Sequence, residues 1–400
     1  MDNVVPKLDS EVAITSFNGD EYLIEHKLLG YQVNISENTY RIIQLVDGKR
    51  TIIEIAKAFE GLHSMAVSSE LIFDVLFKKL AKYGIVKQDG LAIERRGKPD
   101  YLRLSFIIIP SKLVDAVVPV FKILFHKWIF YPLLVMAGLF ITLTVSLNFD
   151  SIAFELKNGD LTLLSMALYV TLFQVGNIFH EFGHAAALRK FGLKTGGIGF
   201  GFYLITPALY TDVSEAWKLS IDKRVIVNLG GIYFEMILCI VCMSVYLFQE
   251  NIVFLIMPCI LAIRTLINLN PFLKLDGYWI LSDVTKTPNL RKLSMTVLKD
   301  KLSDIYHLRF TFKSKKEGLL FLYALTSIGF IIIFVGTVLI KDPYSLLVFP
   351  AYVLDVILYS KGFSFNLLGS LFIPLVFWYL IFNLIRLAFR EFRKKRSLSG

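Results

Sequence analysis

The pattern of apolar and polar positions divides the chain in two. Through the first hundred residues apolar positions come in short runs broken by turn residues, whereas beyond residue 104 they lengthen into runs able to cross a bilayer. In the first part, residues 12–17, 22–26 and 31–35 read as three strands, the first two joined through Asn18-Gly19-Asp20. Ser36 is placed to cap a helix over residues 37–46, which Asp47-Gly48 stops, and Thr51 with Glu54 forms a capping box for a helix over 51–59. A third helix is expected over 69–83, where Leu71, Ile72, Val75, Leu76 and Leu80 fall at helical spacing, followed by a short hairpin over 85–91. Together these predict a small α+β, winged-helix-like domain over residues 1–97.

In the apolar part, residues 104–126 carry Lys112, Lys122 and His126 among hydrophobes. That mixture suits an interfacial linker helix (98–127) as well as a span. Residues 128–147, 161–189, 224–248, 252–270, 318–340 and 367–389 read as spans. Residues 345–360 are apolar too, but Pro350 and Asp355 favour a re-entrant or interfacial element. The fold class is then a polytopic α-helical membrane protein with about six transmembrane helices. Its core is expected over 128–285, a basic loop over 286–316, and C-terminal helices with a basic tail over 317–400.

Composition agrees with insertion in a lipid bilayer. With 55% hydrophobic residues and a mean hydropathy of +0.59, the 400-residue chain is too apolar for a soluble protein. The net charge of +10 raises nucleic acid as a partner, but the basic residues flank apolar runs instead of clustering with aromatics, which excludes that class. Lys122 and Lys127 before the first span, Arg189-Lys190 after the second, the basic loop and the tail at 390–396 all follow the positive-inside rule. They place both termini of a multi-pass cell-membrane protein in the cytoplasm. No signal-peptide pattern precedes the first long apolar run, so the N-terminal domain is expected to be cytosolic. Cys239, Cys242 and Cys259 lie within apolar stretches; the first two share a helical face and read either as metal ligands or as small hydrophobes.

The chemistry concentrates at His180-Glu181-Phe182-Gly183-His184. Histidines four apart on a helix project from one face and can hold one metal ion, with Glu181 beside them as a proton acceptor. An apolar environment makes such residues costly unless a partner compensates them, and a metal is one. Position 190 is Lys, so a third histidine at metzincin spacing is absent. The best candidate for the remaining ligand is Asp276, where Pro271 and Gly277 break an apolar helix; Asp212 and Glu215 are rivals. Depth supports Asp276, because His180 lies ~30 Å along its helix at 1.5 Å per residue and residue 270 ends a return helix of similar length.

Together the His180–His184 motif and Asn270-Pro271-Phe272-Leu273-Lys274-Leu275-Asp276-Gly277 resemble the site-2 protease family of intramembrane zinc metalloproteases, over roughly residues 160–285. The resemblance implies one Zn2+ per chain held by His180, His184 and Asp276, with Glu181 as catalytic acid-base and Asn270 hydrogen-bonding substrate or intermediate. It also implies that Gly196 to Tyr203 with Thr206-Pro207-Ala208 form a membrane-embedded, re-entrant β-hairpin presenting an edge to substrate. Leu229-Gly230-Gly231-Ile232 keeps small residues where many relatives have Ala-Gly-Pro but loses the proline, and no PDZ insert is visible. Glu235, one turn on, reads equally as facing the cavity or as a hydrogen bond to another helix.

The first quarter, around Leu45 to Ala56, resembles PqqD-like peptide-binding domains; a winged-helix-like domain with another partner is the alternative. The resemblance implies capture of a precursor-peptide leader by strand addition. The expected function is maturation of a ribosomally made, modified precursor peptide, with a peptide-modifying enzyme and an ABC exporter as possible partners. The alternatives are cleavage of a transmembrane regulator, or a non-enzymatic export or immunity protein.

Overall fold

The computed structural model describes residues 3–341 apart from 19–20, 30, 88–101, 159–161, 204–205 and 307–310, together with scattered positions between 343 and 385. By their contacts the residues fall into two units: Met1–Asp100 with Glu215–Ser220, and the remainder.

In the first unit, β1 (Val12–Asn18), β2 (Glu21–His26) and β3 (Tyr31–Ser36) form an antiparallel sheet in that order. The Ser36 hydroxyl then accepts from the Thr39 N–H and opens α1 (Glu37–Gln44). Thr51 opens α2 (Ile52–His63) through a full capping box, in which the Glu54 carboxylate accepts from the Thr51 N–H at 2.8 Å. This helix runs four residues past its expected end at residue 59, until Ser64 turns left-handed at φ 52°. Ser68 caps α3 (Ser69–Phe73), which continues through a π-helical stretch, Asp74–Leu80, and a 3-10 turn, Ala81–Tyr83. Ile24, Ile43, Ile55, Phe59, Ile72 and Leu76 form the centre of one apolar core. Val86 bridges back to Leu8, while the rest of the hairpin expected over 85–91 lies mostly outside the described residues. Within the same unit, Lys218 pairs with both Glu215 and Glu25.

The capping box makes a prediction. Hydrogen bonds from the Thr51 backbone and then its hydroxyl hold the Glu54 carboxyl below its usual range. A depressed folded value means that this stabilisation is present above the ordinary glutamate range and lost as pH falls through the folded value. Thr51→Ala is expected to speed amide exchange in the first turn of α2 roughly fivefold at neutral pH. Hydrogen exchange on the full chain checks this, and the native first turn should approach the variant as the solution is acidified.

The second unit opens with β4 (Leu102–Pro110), where an interfacial helix was the expectation. Consecutive isoleucines at 107–109 lose side-chain freedom in a helix and suit a pleated strand. Helical structure begins only after Pro110, with α4 (Ser111–Val117) and the 3-10 stretch Val118–Phe125. Then come α5 (Lys127–Leu147), α6 (Phe149–Asn158) and α7 (Leu163–Lys190), the last capped by Thr162. The hairpin of β5 (Gly197–Tyr203) and β6 (Thr206–Thr211) follows, and β5 pairs antiparallel with both β4 and β6. Then follow α8 (Ile221–Gln249), α9 (Ile252–Asn268), α10 (Asp276–Val284), α11 (Leu290–Tyr306) and α12 (Lys315–Lys341).

Among the described residues four helices, α5, α7, α8 and α12, are long and apolar enough to cross a membrane, and α9 is apolar but shorter. They fit a membrane protein. The sixth expected span and the element at 345–360 lie mostly outside the described residues, and much of the expected basic loop is the helix α11. The crossing of α7 and α8 matters most for the site. A Cβ at Gly183 would strike the Gly230 carbonyl, and one at Gly230 would strike Gly183, so two glycines bring the helix backbones into contact.

Candidate metal centre

His180 and His184 lie one turn apart on the buried face of α7. Asp276 is the first residue of α10, beyond the break that follows α9. There Gly277 lies against the Leu269 backbone, where a Cβ would collide with the carbonyl, and Tyr323 donates its hydroxyl to the Pro271 carbonyl at 2.9 Å. The break thus folds back on itself and delivers Asp276 to the histidines. Its carboxylate oxygens lie 3.2 Å from His180 Nε2 and 3.5 Å from His184 Nε2, and the two Nε2 atoms are 3.1 Å apart.

The partners of the other ring nitrogens fix what these atoms are. His184 Nδ1 lies 2.8 Å from the Val227 carbonyl, which only accepts, so Nδ1 carries the proton. His180 Nδ1 faces the Glu235 carboxylate at 3.2 Å. In the neutral rings both Nε2 atoms are therefore bare lone pairs pointing at each other and at a carboxylate, an arrangement that repels unless a cation sits among them. Asp276 Oδ2 is buried without a hydrogen-bond partner, as expected if neither Nε2 carries a proton to donate. Ligands ~2.1 Å from a tetrahedral ion stand ~3.4 Å apart, close to the three spacings here. The α8 wall completes the fit: a Cβ at Gly231 would collide with both Nε2 atoms.

Glu181 is buried on the same helix. Thr211, the last residue of β6, donates its hydroxyl to Glu181 Oε2 at 2.6 Å, with the Glu181 backbone carbonyl as second acceptor at 2.9 Å. The hairpin thus positions the carboxylate.

The chain has a named relative. It is 29% identical over 214 residues, 50% of this chain and 79% of the other, to the "Putative peptide zinc metalloprotease protein YydH" of Bacillus subtilis (strain 168). No family model matches the chain, and no solved structure matches it.

Of the residues singled out in the sequence, the structure brings His180, His184 and Asp276 together, and among the described residues theirs is the group with metal-ligand spacing. The rival ligands are occupied elsewhere. Asp212 accepts from the Ser214 N–H and hydroxyl, and Glu215 pairs with Lys218. Asn270 is used locally, its side-chain oxygen accepting from the Phe272 N–H at 2.8 Å within the break. Cys239 and Cys242 are buried as small hydrophobes, with the Cys239 thiol directed at the Pro258 carbonyl.

Thr211, Arg264 and the clamp on α10 belong to the surroundings of the site through contacts that no local sequence pattern marks. In that clamp Asp283 accepts from Arg224 Nε at 2.8 Å and from Asn228 Nδ2 at 3.2 Å, which ties the helix bearing Asp276 to the start of α8. Asp283→Ala is expected to destabilise the chain by ~3–5 kcal/mol, the usual cost of breaking a buried pair. It should also weaken zinc binding, and thermal unfolding with metal titration of the variant checks both effects.

Proposed function

We propose that this chain is a membrane-embedded zinc metalloendopeptidase of the site-2 protease type. One zinc per chain would be held by His180, His184 and Asp276. The observation that carries this reading is the convergence of two bare imidazole nitrogens and a carboxylate with an unpartnered buried oxygen beside a buried glutamate. The similarity to a protein named as a peptide zinc metalloprotease supports it. Bound there, zinc supplies Lewis-acid activation of water at neutral pH.

The chain's own residues supply the rest. Glu181, oriented by Thr211, takes a proton from the attacking water and returns it to the leaving amine. The α8 glycines keep the ligand face open to the ion and the helices closely packed. Asn270 is the candidate for binding the substrate carbonyl through its Nδ2–H, with its side-chain oxygen held by the Phe272 N–H.

The substrate in this reading is a ribosomally made, modified precursor peptide cleaved during maturation or export. The first unit binds its leader as an added strand, and the sheet order β1-β2-β3 leaves β1 and β3 each paired on one side among the described residues. Tethering raises the local concentration of a segment that must enter the site in extended form. Cleavage by the full chain in detergent, against precursor peptides with and without leaders and against transmembrane segments, tests the assignment. Faster cleavage of leader-bearing peptides supports it, whereas preference for transmembrane segments indicates a regulator as substrate.

A further inference from the structure

Glu235 is fully buried on α8, and its two carboxylate oxygens serve two helices. Oε2 faces His180 Nδ1 at 3.2 Å, and Oε1 accepts from Arg264 Nε on α9 at 2.8 Å. Arg264 in turn donates through Nη1 to the Asn177 side-chain oxygen, which lies on α7 three residues before His180. The circuit is closed: His180 to Glu235 to Arg264 to Asn177, and back along one turn of α7. Three helices are joined through it.

The α7 face that receives Arg264 leaves room for a guanidinium, although Nη2 is buried there without a hydrogen-bond partner. Phe173 lies under the cation, 5.1 Å from the guanidinium carbon to the ring centroid. A Cβ at Gly176 would stand only 3.1 Å from Arg264 Nη2, so the glycine provides its space. Phe173, Gly176 and Asn177 follow the i, i+3, i+4 spacing that puts residues on one helical face. A charged residue within an apolar helix is costly unless such a receptor exists.

We propose that Glu235, held by Arg264 and Asn177, is a positioning residue that fixes His180 in its metal-binding tautomer and sets zinc affinity. This inference rests on the proposed zinc site. Its chemistry depends on a carboxylate that accepts on both oxygens. Glutamine has one acceptor oxygen and would turn an amide N–H toward either the Nδ1–H or the guanidinium, leaving one buried donor opposed. Arginine is required for its fixed fork, which bonds Glu235 and Asn177 at once and which a lysine ammonium does not reproduce.

The test is zinc affinity of the purified full chain in detergent, by competition with a fluorescent chelator, beside the melting temperature of each metal-free protein. Glu235→Gln is expected to bind zinc about 10–100-fold more weakly than native protein, the usual effect of removing an outer partner of a ligand histidine. Asn177→Ala and Arg264→Lys are expected to weaken zinc binding by smaller factors, with a lower metal-free melting temperature because each loosens a buried charge. If Glu235→Gln does not fold, those two milder variants decide the matter. Native affinity in the folded variants, with or without a lowered melting temperature, reduces the circuit to a structural ion pair and overturns the proposal. A native chain that binds no zinc is a separate result, which removes the metalloprotease reading and the role of the circuit with it.

Discussion

Gly231→Ala is expected to weaken zinc binding by more than ~100-fold, beyond the loss that removal of an outer partner brings. The methyl group would occupy the space into which both His180 Nε2 and His184 Nε2 point. It would force the imidazoles apart or fill the position of the ion. In a helix interior glycine to alanine ordinarily stabilises by ~0.5–1 kcal/mol, so the helix itself gives no reason for failure. Metal content and helical circular dichroism of the purified variant separate the two: the helices should persist while zinc is lost. Retention of zinc would place the metal elsewhere than against the α8 wall.

Glu181→Gln is the second large effect. Glutamine matches glutamate in shape, and its amide oxygen still accepts from the Thr211 hydroxyl that reaches Glu181 Oε2 at 2.6 Å. What it lacks is the ability to take and return a proton. Cleavage of a peptide substrate is expected to fall by ~10²–10⁴ while zinc content stays at the native level. A parallel loss of zinc would show that Glu181 acts as a ligand or as structural support and not as the base.

The first unit was largely legible in the sequence because its signals are local. Turn residues, alternation and two side-chain caps each act within about four residues, and Ser36 and Thr51 both cap as hydroxyls do. β4 was not legible in this way. Its apolar run has no decisive period, and the strand that pairs with it, β5, lies about ninety residues further along the chain.

The site divides along the same line. The His180–His184 spacing is a property of one helix, and the Pro271–Gly277 break marked Asp276 as unusual. Arg264 also carried a signal, since it is the charged residue within the apolar stretch of α9. Its partners, however, follow from how three helices are rotated about their axes, which no single periodicity encodes. The sequence alone allows Glu235 either the cavity or an interhelical bond, and the structure gives its two oxygens one contact of each kind.

Zinc stoichiometry tests the account most directly. The native chain, purified in detergent without added chelator, is compared with His180→Ala, His184→Ala and Asp276→Ala. Close to one zinc per native chain is expected, with a loss in each variant. A native chain without zinc, or three variants that keep it, would contradict the assignment of His180, His184 and Asp276 as a metal centre.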